Sequence, residues 1–129
     1  MVMDLVTALG LSAEENIFES KQSRMVRLSQ ELLESNIDQG IGVVELADTL
    51  QVSREYLSRI FKQQTGMTLQ DYMREKRIEA GVRLLRKTDL SCEEIARRVG
   101  YRHVSSFTRA FKAVMKQSPK EFGEQGKTF

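Results

Sequence analysis

The sequence predicts an all-α fold of two helix-turn-helix units with a long helix between them, and three observations predict it. Only one proline, Pro119, interrupts 129 residues, and no alternating run of β-branched residues bounded by turn dipeptides reads as a strand. The run Glu94-Ile95-Ala96-Arg97-Arg98-Val99-Gly100-Tyr101, followed by Ser105-Ser106-Phe107-Thr108-Arg109-Ala110-Phe111-Lys112, reads as two short helices meeting at a tight corner. Ile95, Ala96 and Val99 form one apolar stripe and Phe107, Ala110 and Phe111 another. Ala96 is small where two backbones approach, and Gly100 supplies the left-handed residue on which the first helix stops. The third observation is an upstream copy of the same plan, Leu46-Ala47-Asp48-Thr49-Leu50-Gln51-Val52-Ser53-Arg54-Glu55-Tyr56-Leu57-Ser58-Arg59-Ile60-Phe61-Lys62. Leu46 lies 49 residues before Ile95 and Phe61 lies 50 before Phe111, so the second corner is one residue longer. Two copies are too few for a solenoid and suit a pair of reading heads.

Residues 1–22 read as a linker or docking helix. Val2, Leu5, Val6 and Leu9 have helical spacing, and Ser12-Ala13-Glu14-Glu15 has capping-box spacing ahead of Ile17 and Phe18. A firm helix is expected from Lys21 to Asn36 on a Met25, Leu28, Leu32 stripe widened by Val26 and Leu33, ending in Asn36-Ile37-Asp38-Gln39-Gly40. The first unit spans 23–66, with Ser53 capping a helix that buries Tyr56, Leu57, Ile60 and Phe61 and stops at Gly66. A linker helix follows over 67–87, opened by Thr68. Its charges Arg74, Lys76, Arg77, Arg83, Arg86 and Lys87 add positive potential between the heads. The second unit spans 88–129, with a Ser91–Glu94 capping box, Pro119 at the first position of a final helix, and fraying from Gly123 onward.

Charge is distributed unevenly about a net +2. Residues 1–52 hold 3 basic side chains against 9 acidic ones, and residues 53–129 hold 17 against 9. That asymmetry suits a polyanion on one side, although a solvated helical face is the plainer reading of charge alone. Short hydrogen-bonding side chains and a guanidinium fork stay exposed on the second helix of each corner, which is the chemistry that reads base edges in a major groove. No 18-residue apolar run and no signal-peptide order occur, which points to a soluble chain not exported by that route, and a DNA-binding role would place it in the cytoplasm with the nucleoid. Cys92, the single cysteine, rules out an internal disulfide and beside two glutamates reads as an inert filler. With one histidine and one cysteine and no phosphate loop, ligand cluster or nucleophile constellation, the sequence supports no enzyme, metal or cofactor reading.

From Met25 to Gly123 the chain resembles the DNA-binding domain of the AraC/XylS family of bacterial transcription regulators. The resemblance is carried by Leu46-Ala47, Ser53, Tyr56-Leu57-Ser58-Arg59-Ile60-Phe61-Lys62, Gly66, Arg77-Ile78, Ala80 and Leu84-Leu85. In the second half it is carried by Glu94-Ile95-Ala96, Val99-Gly100-Tyr101, Ser106-Phe107, Arg109-Ala110-Phe111-Lys112 and Ser118-Pro119. It implies homeodomain-like three-helix units joined by one long helix, with both recognition helices in successive major grooves of double-stranded DNA. The family's base-reading face falls on Glu55, Ser58 and Arg59 and on Val104, Ser105, Ser106, Thr108 and Arg109. Arg54, Lys62, His103 and Lys112 flank those positions as further DNA contacts. RNA polymerase is an implied second partner, and the chain is either a short stand-alone regulator or, as its first 22 residues favour, the output portion of a larger protein with an effector or dimerisation domain upstream. Lys116 stands where the family usually has glycine, so the second recognition helix is expected to end differently or to gain a phosphate contact. A helical protein-interaction module with weak, non-specific DNA binding is the alternative.

Overall fold

Hydroxyl caps written in the sequence set most of the helix starts. Ser20, Ser53, Thr68 and Ser91 each accept a hydrogen bond from the amide three residues on, satisfying a donor that the first turn leaves unpaired. The computed structural model describes residues 19–126, which form α1 (Lys21–Ser35), a 3-10 turn (Ile37–Gln39), α2 (Val43–Leu50) and α3 (Arg54–Thr65). There follow α4 (Leu69–Lys87), α5 (Cys92–Arg98), α6 (Val104–Met115) and α7 (Pro119–Gly126), with no strand among the described residues. The all-α prediction therefore holds, whereas the expected helix at Val2–Leu9 and the cap at Ser12 lie outside the described residues.

Two apolar cores share α4. Val26, Leu33, Leu46, Ala47, Leu57, Ile60 and Phe61 form the first, with Leu69 and Met73 from the start of α4. Ile95, Ala96, Val99, Phe107, Phe111 and Phe122 form the second, with Ile78 and Ala80 from farther along α4. Met73 and Ile78 are five residues apart, roughly 140° round the helix, while Ala80 lies back on Met73's side, so the buried side of α4 broadens as it passes from one core to the other. Gly81 lies where Phe107 packs: a Cβ there would come within 2.9 Å of the ring. The missing side chain lets the aromatic lie against the α4 backbone.

The corners close alike. At the end of α2 the Val52 amide donates to the Ala47 carbonyl at 3.0 Å and Gln51 to Asp48 at 3.1 Å. At the end of α5, Tyr101 donates to Ala96 at 2.8 Å and Gly100 to Arg97 at 3.1 Å. Both are the paired bonds of a Schellman ending, closed on a left-handed residue: Gln51 at φ 60° and Gly100 at φ 98°. α3 and α6 each have 12 residues and start 50 apart, while α2 has eight and α5 seven. The extra residue of the second corner is therefore in its turn.

Several expectations need correction. Val26, Ser29 and Leu33 are the fully buried face of α1, with Met25, Leu28 and Leu32 only half-buried, so the stripe is rotated from the one expected. Ser29 fits there because it is small and its hydroxyl donates to the Val26 carbonyl at 2.7 Å. Tyr56 is half-buried rather than core. Only half of the Ser91–Glu94 box forms, because the Glu94 carboxylate pairs instead with Arg97 and Arg98. The complete box is at Ser118 and Glu121, and α7 continues through Gly123 to Gly126 rather than fraying there. Lys116 adopts φ 65° and donates its amide to Lys112, as Gly66 does at φ 80° to Lys62, so α6 ends as α3 does. The Lys116 ammonium turns back onto the Ala113 carbonyl.

The units also touch directly, near the middle of α4. The Gly40 and Gly100 backbones abut so closely that a Cβ on Gly100 would fall 2.7 Å from the Ile37 carbonyl oxygen and 2.9 Å from the Gly40 Cα. Beside that contact Arg77 of α4 donates to the Ile41 carbonyl of the first unit and lies over the Tyr101 ring of the second, 5.7 Å from its centroid. Burial lowers the Arg77 guanidinium from its ordinary range, an effect that the neighbouring Tyr101 opposes. This arginine fastens the units together, so the expected free positive potential of α4 is smaller than its composition suggests. Lys76 is likewise occupied, with Glu34 and Glu79, and Arg74 with Asp71.

Candidate nucleic-acid interface

α3 presents Arg54, Glu55, Ser58, Arg59 and Lys62 to solvent while Leu57, Ile60 and Phe61 anchor its other side. The Arg59 guanidinium lies over the Tyr56 ring, 5.3 Å from its centroid, which restrains its stem and leaves its donors outward. α6 repeats the arrangement at an interval of 50, so that Thr108 stands for Ser58, Arg109 for Arg59 and Lys112 for Lys62. His103, Ser105, Arg109 and Lys112 are exposed, and Ser106 and Thr108 are half-buried. Val104 is half-buried against the second core, so less of it is open than of Arg54 at the matching place.

The two helices begin differently. Ser53 caps α3 with its hydroxyl on the Tyr56 amide at 3.0 Å, whereas exposed His103 precedes α6 without a side-chain cap. Among the described residues, neither Arg59 nor Arg109 joins an ion pair, nor do Arg54, Lys62 and Lys112. These cations are thus open to an external anion. Phe61, Phe107 and Phe111 are wholly buried and Tyr101 is occupied under Arg77, which assigns the aromatics to packing rather than to stacking on bases. Burial pushes the Cys92 thiol up, reinforced by Glu93, against the reactive thiolate that a helix start would favour. Among the described residues no group of three or more histidine, cysteine or acidic side chains could hold a metal. None of their helices is long and apolar enough to cross a membrane.

What sequence reasoning missed lies on α4. Arg77 carried only diffuse charge in that reading, although it forms part of the motif Arg77-Ile78. Gln70 and Arg74 were not singled out as contacts at all. They share a cleft with Ser106 and Arg109, and only the tertiary fold brings those four together.

The model of a helix-turn-helix domain family matches residues 46–125, which cover both corners. A probable transcription factor of Proteus vulgaris, PqrA, is 34% identical over 89 residues, 69% of this chain and 73% of that protein. The chain belongs to the AraC/XylS family. The C-terminal domain of AraT, a response regulator from Geobacillus stearothermophilus, has a TM-score of 0.77 at 34% identity, covering 82% of this chain and 88% of the other. The Msm operon regulatory protein of Streptococcus mutans is 29% identical over 131 residues, 97% of this chain. Those residues are 47% of that protein, so the chain spans about half the length of this relative. AraC/XylS membership makes DNA-binding transcription regulation the function of the domain.

Proposed function

We propose that α3 and α6 are recognition helices that enter successive major grooves on one side of a double-stranded DNA site, and that the site is asymmetric because the helices differ in sequence. The observation that carries this reading is the equivalence of the two helices in length, left-handed ending and outward arginine, with Arg59 and Arg109 both exposed and without ionic partners among the described residues. Glu55, Ser58, Arg59, Ser105, Ser106, Thr108 and Arg109 are the base readers, with Val104 meeting a thymine methyl beside them. Arg54, Lys62, His103 and Lys112 contact phosphates. The units divide as 23–66, 67–87 and 88–129, with 1–22 as a linker or docking segment. The domain performs no chemistry of its own. It acts in the cytoplasm as the output portion of an activator, with RNA polymerase as a partner and an effector or dimerisation domain outside this chain.

Selection of bound duplexes from a random pool, followed by binding titrations at several salt concentrations, tests this. One preferred site of about two helical turns is expected, with steep loss of affinity as salt rises. R59A and R109A should each cost about 1–3 kcal/mol and relax preference at different base positions. Equal affinity for scrambled duplexes, or weak binding indifferent to salt, refutes the reading and favours a protein-interaction module.

A further inference from the structure

A cleft of about 540 Å3 separates the first half of α4 from α6. Gln70, Arg74 and Arg77 line it from α4, Ser106 and Arg109 from α6, and Tyr101 from the turn between α5 and α6. Three arginines thus line one space with no carboxylate in its wall. A second cleft of similar size, about 570 Å3, lies between α4 and α5 and also carries three arginines. There Asp38 is in the wall, and Arg97 and Arg98 are both paired with Glu94. The first cleft is therefore the one whose wall holds arginines and no carboxylate. Its one described ion pair, Arg74 with Asp71 at 3.2 Å, is exposed and readily exchanged for a stronger anion.

Position supplies the second argument. Gln70 and Arg74 are in the opening turns of α4, just after α3 ends at Thr65, and the facing wall is α6 itself. The cleft therefore opens between α6 and the end of α4 that follows α3. A phosphate held there would belong to a strand already engaged by α6.

We propose that Gln70 and Arg74 seat a phosphodiester of the strand that crosses between the two grooves, which makes the linking helix a DNA-contacting element. The inference rests on the reading of α3 and α6 given above. An arginine fork and a carboxamide supply donors suited to non-bridging phosphate oxygens.

The test uses the whole chain, R74Q and the duplex selected by the wild-type protein, with each phosphate between the two contacted grooves replaced singly by a neutral methylphosphonate. Wild-type affinity should fall at one or two adjacent replacements to which R74Q is indifferent. The R74Q slope of log affinity against log salt should be shallower by about 1, with base preference and melting temperature unchanged. If R74Q keeps the wild-type slope and replacement profile, the inference is overturned while the reading of the two helices stands. It is overturned too if millimolar inorganic phosphate saturates the free wild-type cleft, R74Q abolishes that binding, and methylphosphonates have no effect, since the seat then serves a free anion. Failure of the wild-type chain to select any duplex refutes both.

Discussion

The two corners satisfy the same backbone requirement with different residues. Both place a left-handed residue after the first helix and another after the recognition helix. The first unit uses Gln51 and then Gly66, and the second uses Gly100 and then Lys116. Glycine is thus not needed by the turn itself, because Gln51 closes α2 with the same two hydrogen bonds that Gly100 allows at α5. Gly100 is set apart by its neighbour. The Ile37 carbonyl and the Gly40 backbone of the first unit occupy the space of its absent Cβ, whereas a Cβ on Gly66 would meet nothing within 4 Å. One glycine serves a contact between units and the other only a chain reversal.

The sharpest way to break this comparison is G100A. It adds left-handed strain to a backbone clash, and a loss of about 3 kcal/mol or more is expected, lowering the melting temperature by roughly 10 °C. Thermal unfolding followed by circular dichroism measures it, and a loss no greater than that of G66A would reduce the inter-unit contact to an incidental one. R77M keeps the bulk of the side chain but removes the bond to Ile41 and the stacking on Tyr101, for about 2 kcal/mol. Its second readout is geometry: duplexes with one base pair added between the two contacted grooves should be penalised less by R77M than by the wild-type protein. G66A meets only conformational strain and should cost about 1 kcal/mol in urea unfolding. Smallest is Q51G, where relief of strain is nearly cancelled by the freer unfolded chain, leaving at most about 0.5 kcal/mol of stabilisation. A larger gain there would mean that the first corner is held under tension.

Local rules made most of the elements legible. Caps at Ser53, Thr68 and Ser91, the apolar spacing of Leu57, Ile60 and Phe61, and the repeat at 49 to 50 residues are short-range signals that survive in one dimension. What failed to show was set by packing. Ser29 ranks below Leu28 on any hydrophobicity scale, yet it is buried because little room remains there and its hydroxyl is already satisfied. In α4 the second core takes Ala80 from the side of Met73 and Ile78 from well round the helix, so no single stripe betrays that one helix feeds two cores. For the candidate interface, the positions on α3 and α6 followed from spacing and resemblance. Arg77 and the cleft around Gln70 and Arg74 depend on residues more than twenty positions apart in sequence, a distance across which periodicity says nothing.

The double duty of α4 has a thermodynamic consequence. Leu69 and Met73 belong to one core and Ile78 and Ala80 to the other, all on a single uninterrupted helix. Melting either half strips support from the helix that the other half packs against, so the two cannot come apart as independent modules and share one cooperative transition. A lesion in one reader is therefore felt by its sibling as lost stability, even where the two touch no residue in common.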